Sequence, residues 1–226
     1  KGAFALMDDA ACLDVPDGYQ LIVTKDALVQ GIHFIGDEPA ADIARKALRV
    51  NISDCAAMGS IPRYYLLALM IPPHLNEAWL KAFCEGLQHD QHTYHITLAG
   101  GDTTRTTGPF SLSVTMIGMV PAGTILRRNG AKAGDDIYVT GTIGDAALGL
   151  AVAKGETCNL HPADRDSLLA RYRIPEPRLL LGEKLRGLAT SCMDISDGLA
   201  QDLEHICTAS AVGAQIHYDA VPLSQA

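Results

Sequence analysis

YHITLAGGDTTRTTGPFSLSVTMIGMV, residues 94–120, sets two extended segments in succession with no helix between them. Tyr94 to Ala99 reads as an apolar strand running into a Gly100-Gly101-Asp102 turn, and Phe110 to Val120 alternates as a half-exposed strand does. Towards the N-terminus, Asn76 to Gln88 reads as a helix whose apolar positions are Ala78, Leu80, Phe83 and Leu87. Before it, Arg63 to Met70 is an apolar strand stopped by Ile71-Pro72-Pro73. Ala40 to Gly59 reads as a helix with small residues on one side, closed by Gly59, and Gln20 to Thr24 as a buried strand. The resulting order, β-α-β-α-β-β, breaks the strict alternation of a doubly wound sheet and predicts an α+β fold.

Pro121 to Gly134 mixes glycines and prolines with basic residues and marks the expected boundary between two domains, 1–122 and 123–226. Beyond it, Asp136 to Thr140 and Ala214 to Tyr218 read as strands. Asp145 to Ala153, Arg178 to Leu188 and Asp197 to Ala209 read as helices. That second half has few strands for its helices, which gives it the look of an incomplete α+β domain.

The chain has 226 residues, 48% of them hydrophobic and 19% charged, enough to bury a core. Its net charge of -8 argues against a nucleic-acid binder, which carries a basic stripe. No apolar run approaches the roughly 20 residues of a membrane span, and the cytoplasm is the expected location. The six cysteines contain no Cys-x-x-Cys pair and are expected to be reduced. His89, His92 and His95 recur at a spacing of three, but no thiolate or carboxylate completes a shell at matching spacing, so solvated surface is expected there rather than a zinc site. The P-loop and protein-kinase signatures are absent, and Gly141-Thr142-Ile143-Gly144 has the wrong spacing for a dinucleotide loop.

Chemistry is signalled instead by aspartates at the ends and turns of apolar segments: Asp8-Asp9, Asp26, Asp54, Asp102, and the pair Asp194 and Asp197. Carboxylates gathered without counter-ions repel one another, and hard divalent cations with oxygen ligands relieve that repulsion. Magnesium is the first choice, since it combines a few carboxylates with substrate phosphates. The two glycines before Asp102 would let backbone approach a phosphate closely. Asp194-Ile195-Ser196-Asp197-Gly198 places carboxylates and a hydroxyl at a helix start, where they also suit an N-cap.

Five segments, in order, resemble the thiamine-monophosphate kinase family. They are Asp8-Asp9-Ala10-Ala11, Asp26-Ala27-Leu28-Val29-Gln30-Gly31-Ile32-His33-Phe34, Asn51-Ile52-Ser53-Asp54-Cys55-Ala56-Ala57-Met58-Gly59, Ala99-Gly100-Gly101-Asp102-Thr103-Thr104-Arg105 and Asp194-Ile195-Ser196-Asp197-Gly198-Leu199. Arg128 to Gly141 is similar as well. The related aminoimidazole ribonucleotide and selenophosphate synthetases carry other residues in place of Gly-Gly-Asp-Thr.

The resemblance implies ATP-dependent phosphorylation of thiamine monophosphate to thiamine diphosphate, in a homodimer whose N-terminal domains join sheets. It implies Asp9, Thr24, Asp26, Asp54, Asp102, Asp194 and Asp197 as ligands of several magnesium ions. Gly101, Arg128 and Ser196 would contact ATP, and His33 the thiamine-phosphate side. Two departures stand out: Lys25 where the family usually has threonine, and Met7 where it has glycine. The resemblance also implies that family members continue beyond Ala226. The competing readings are a superfamily enzyme with another acceptor and a non-catalytic nucleotide-binding module.

Overall fold

The computed structural model describes residues 3–7, 10–156 and 160–226. Its first half is one mixed four-stranded sheet with helices against one face. The strands are β1 (Tyr19–Val29), β2 (Ile61–Ile71), β3 (Thr97–Arg105) and β4 (Ser111–Pro121), in the order β1-β4-β2-β3. β2 and β3 are parallel, while the β1–β4 and β2–β4 pairs are antiparallel. The parallel pair is joined by α2 (Glu77–Tyr94), which lies beside α1 (Ala40–Ala57). The α+β expectation holds.

Every second residue of β4 faces the helices: Leu112, Val114 and Met116 are fully buried. They meet Ala44, Ala47, Leu48, Ile52 and Cys55, a stripe repeating at helical spacing along α1. Alanine fills much of that stripe, which favours helix and lets α1 lie close to the sheet.

The helix α2 is capped by Asn76, whose side chain accepts from the Trp79 amide at 2.9 Å. It ends at Tyr94 rather than Gln88, with His95 in a left-handed conformation as its C-cap. The extra turn is held by Asp90, buried against Arg45 and Arg49 of α1. His89, His92 and His95 are exposed, as expected.

The expected turn at Gly100-Gly101-Asp102 is corrected. All three residues lie inside β3, paired with Leu66, Leu67 and Ala68. A Cβ at Gly101 would collide with the Leu67 carbonyl oxygen, so the glycine serves close strand packing. Gly101→Ala is therefore expected to cost about 1–3 kcal/mol in urea unfolding. An unchanged midpoint would show that β3 can shift to accommodate the methyl.

Helices fill the second half: α3 (Asp145–Ala153), α4 (Pro162–Arg173), α5 (Leu179–Leu185) and α6 (Leu199–Ser210). No strand is found there among the described residues. Asp136 to Thr140 has no partner strand, and Ile137 and Tyr138 are exposed, Tyr138 at 88%. Ala214 to Tyr218 likewise forms no strand and leads into a 3-10 turn at Tyr218–Ala220. The helix α4 matches none of the expected elements. Gly182 of α5 packs on the Ala56 carbonyl of α1 with no room for a Cβ, which brings the second half against the C-terminal turn of α1.

Candidate active site

Alternation along β1 decides which of its polar side chains can meet α1. Ile22, Thr24, Asp26 and Leu28 share one face, whereas Leu21, Val23, Lys25 and Ala27 are exposed on the other. Ile22 and Leu28 enter the core, leaving Thr24 and Asp26 as a polar notch between them. The last turn of α1 supplies Ser53 and Asp54 to this notch, and the Thr24 hydroxyl donates to Asp54 Oδ2. From the second half comes Asp194, whose Oδ2 accepts from Ser53 Oγ at 2.8 Å.

Two segments of the second half run together to deliver Asp194 and Arg128. The Cys192 amide donates to the Arg127 carbonyl at 2.9 Å, and Ser191 Oγ donates to the Arg128 carbonyl at 2.8 Å.

Charge at this junction is strongly unbalanced. The Asp54 carboxyl is pushed up to about 6, first by burial. The Thr24 hydrogen bond opposes that rise, Asp194 and Asp26 reinforce it, and Arg128 opposes it again. Asp26 is also raised, by burial and then by Asp194, with His33 acting against both. Asp26, Asp54 and Asp194 thus converge, with Arg128 as the fixed cation set against Asp54 and His33 near Asp26. His33 Nδ1 accepts from the Val29 amide at 3.1 Å, which puts the ring proton on Nε2, the nitrogen left for a ligand.

Of the remaining candidates, Asp102 stands apart from this cluster. Asp26 shares a cross-sheet row with Val114, Leu67 and Gly101, while Asp102 belongs to the next row, with Ala27, Ser113 and Ala68. Asp102 therefore starts from the opposite face, three strand spacings or roughly 14 Å from β1. Its Oδ1 accepts from the Thr103 amide at 2.8 Å. Asp197 is exposed, and Ser196 precedes it on the loop before α6. Asp9 lies outside the described residues. Lys25 points away from the notch, its Nζ 3.3 Å from Thr115 Oγ1 on the other face.

Two participants were not assigned from the sequence. Ser53, adjacent to Asp54 in the quoted segment, links the halves through Asp194. Asp202, buried at 2% exposure in the first turn of α6, accepts from the amides of Ser196, Asp197 and Gly198 at 2.8, 3.1 and 3.2 Å. Its signal was an aspartate four residues after the glycine that opens a helix, where a first-turn carboxylate can reach back to the N-cap amide and those before it.

Among the described residues, no three His, Cys, Asp or Glu side chains already meet at metal-binding distance. The donor set still fits magnesium. Thr24, Asp26, Asp54 and Asp194 offer oxygen only, their carboxylates lack sufficient counter-charge, and this ion needs only one or two carboxylates beside phosphates and water.

Residues 7–120 match the AIR synthase related protein, N-terminal domain family, and residues 132–226 match its C-terminal domain family. A thiamine-monophosphate kinase of Salmonella typhimurium is 47% identical over 97% of this chain and 66% of its own length. The crystal structure of thiamine-monophosphate kinase from Stenotrophomonas maltophilia superposes with a TM-score of 0.90 at 45% identity, covering 97% of this chain and 70% of that one. The chain belongs to the thiamine-monophosphate kinase family. A further thiamine-monophosphate kinase family structure, AaThiL complexed with AMPPCP and TMP, superposes with a TM-score of 0.87 at 30% identity, covering 96% of this chain and 69% of that one. This chain spans 66% of the Salmonella thiamine-monophosphate kinase, just under two thirds.

Proposed function

We propose that this protein transfers the γ-phosphoryl group of ATP to the phosphate of thiamine monophosphate, forming thiamine diphosphate. The observation that carries the reading is the convergence of Asp26, Asp54 and Asp194 with Arg128 and His33 where the two halves meet. The complex of AaThiL, a relative at 30% identity, with AMPPCP and TMP supports the choice of reactants, AMPPCP being an ATP analogue. Thr24, Asp26, Asp54 and Asp194 would hold magnesium, Asp9 and Asp197 would be further ligands, and Asp102, on the opposite sheet face, would serve a separate ion. Bound there, magnesium would neutralise phosphate oxygens and hold the two anionic reactants in line.

The side chains of this chain have positioning and electrostatic roles, since phosphoryl transfer of this kind needs no covalent nucleophile. Arg128 supplies positive charge to the nucleotide, Ser196 a hydroxyl, and Gly101 a backbone contact. His33 presents Nε2–H to the acceptor phosphate. Residues 1–122 and 123–226 are assigned as two domains, the first joining its sheet to that of a second copy. Exposed Leu21 and Val23 on β1 support such pairing. The described residues contain no helix long and apolar enough to cross a membrane, and the cytoplasm is the assigned location.

A non-catalytic module would be favoured if Lys25 occupied the ion site, but its direction, away from Asp26, removes that motive. Lys25→Thr is accordingly expected to leave magnesium-dependent ATP turnover within about twofold, whereas a gain of an order of magnitude would restore the alternative. The deciding experiment is a product assay on the full-length protein with ATP, magnesium and thiamine monophosphate. Thiamine diphosphate is expected. Release of orthophosphate without it would point to another acceptor, and tight ATP binding without turnover to a binding module.

A further inference from the structure

The loop between β1 and α1 is held at several points, one of which belongs to the second half of the chain. Glu38, only 7% exposed, accepts from the Ile35 amide at 2.9 Å on Oε1 and from the Gly36 amide at 2.6 Å on Oε2. The Tyr172 hydroxyl of α4 donates to the same Oε1 at 3.1 Å. Lys46 of α1 donates to the His33 carbonyl at 3.3 Å, and its ammonium sits 3.9 Å from the centroid of the Tyr172 ring. Phe34, 2% exposed, anchors the loop in the core edge-on to Phe110. These contacts surround His33, whose ring is fixed by the Val29 amide and whose carbonyl is fixed by Lys46.

We infer that Tyr172 is a positioning residue for the acceptor substrate, acting through Glu38 and Lys46 on the loop that carries His33. The inference rests on the kinase reading for the identity of that substrate. Its physical basis is independent of it. A buried carboxylate needs donors on both oxygens, and here those donors come from the loop and from α4 together. Glu38 thereby ties the loop to a helix that follows it by more than a hundred residues. Burial of Lys46 lowers its ammonium to about 8, so the cation keeps its charge at neutral pH in a place where the Tyr172 ring face and Glu38 favour it. A ring nitrogen that had to meet an acceptor phosphate would tolerate little displacement, so slackening this brace would be felt first in acceptor binding.

The test uses Tyr172→Phe, which removes the hydroxyl but keeps the ring over Lys46, with Glu38→Gln as the second variant, both in the full-length protein. Hydrogen exchange at the Ile35 and Gly36 amides is expected to quicken about threefold to tenfold in each variant. Apparent KM for thiamine monophosphate should rise by a similar factor, while KM for ATP and kcat stay within about twofold. Unchanged exchange, or equal shifts in both KM values, or a fall in kcat alone, would overturn the inference. If the wild-type protein makes no thiamine diphosphate, the kinase reading fails, and the exchange measurement alone decides whether Tyr172 braces the loop.

Discussion

Asp54→Asn is expected to lower kcat/KM by about 100-fold or more, the loss of a few kcal/mol of stabilisation at the transferring phosphate, while raising the melting temperature of the metal-free protein at pH 8. The opposite signs follow from the carboxyl's environment. In the folded chain its proton is held up to about pH 6, against 3.8 for the free side chain. The native state thus binds more protons than the unfolded state between about pH 4 and 6, and stability falls as pH rises through that window. Above it the ionised carboxylate stands against Asp26 and Asp194 at full penalty.

Asparagine cannot ionise and still accepts from Thr24. Because the site is partly open to solvent, the gain is discounted to at most about 1 kcal/mol, or roughly 2–4 °C. At pH 4 the two proteins should melt together. Magnesium should reverse the order at pH 8, stabilising the wild type more than the variant. Parallel losses of activity and melting temperature would show that Asp54 is a packing residue.

The largest effect on folding is expected at Asp90. This carboxylate is fully buried, takes Arg49 in a two-pronged pair at 2.6 and 3.0 Å, and lies 3.4 Å from Arg45 Nε and 2.9 Å from His89 Nδ1. Arg49 is itself buried and also donates to the Pro175 carbonyl at 3.2 Å. Removing Asp90 leaves two guanidinium groups between α1 and α2 without their counter-charge. Asp90→Ala should cost about 3–5 kcal/mol, lowering the melting temperature by roughly 10 °C. Asp90→Leu combined with Arg49→Met should recover much of that loss, since an apolar pair of similar volume removes the stranded charge. Turnover of the single variant at low temperature should stay near that of the wild type, and a matching loss there would tie this pair to catalysis.

The first half of the fold was legible because its segments carry strong patterns. The alternation of Ser111 to Val120 and the alanine-rich stripe of α1 each point to one structure. Errors arose where a local signal competed with a distant partner. Gly100-Gly101 reads as a stop, yet the Leu67 carbonyl demands glycine within a strand. Asp136 to Thr140 has strand composition but no partner strand among the described residues, and a ladder cannot form from one side. The helix α4 buries only Leu168 and Tyr172, so its apolar period is thin, although Pro162 at its first position and Arg171 and Arg173 in its last turn are start and stop signals. In the site, Thr24, Asp26, Asp54 and Asp194 were named from the sequence, and their meeting is visible in three dimensions. That Asp102 faces the other side of the sheet depends on strand register, which no single segment reveals.

The three amides before α6 have a consequence for how firmly that loop is held. With the Ser196, Asp197 and Gly198 amides all donating to Asp202, the loop that leads into α6 is tied back onto the first turn of that helix. That backbone is set before anything binds, so a partner using Ser196 or Asp197 would meet side chains whose ordering cost the fold has already met.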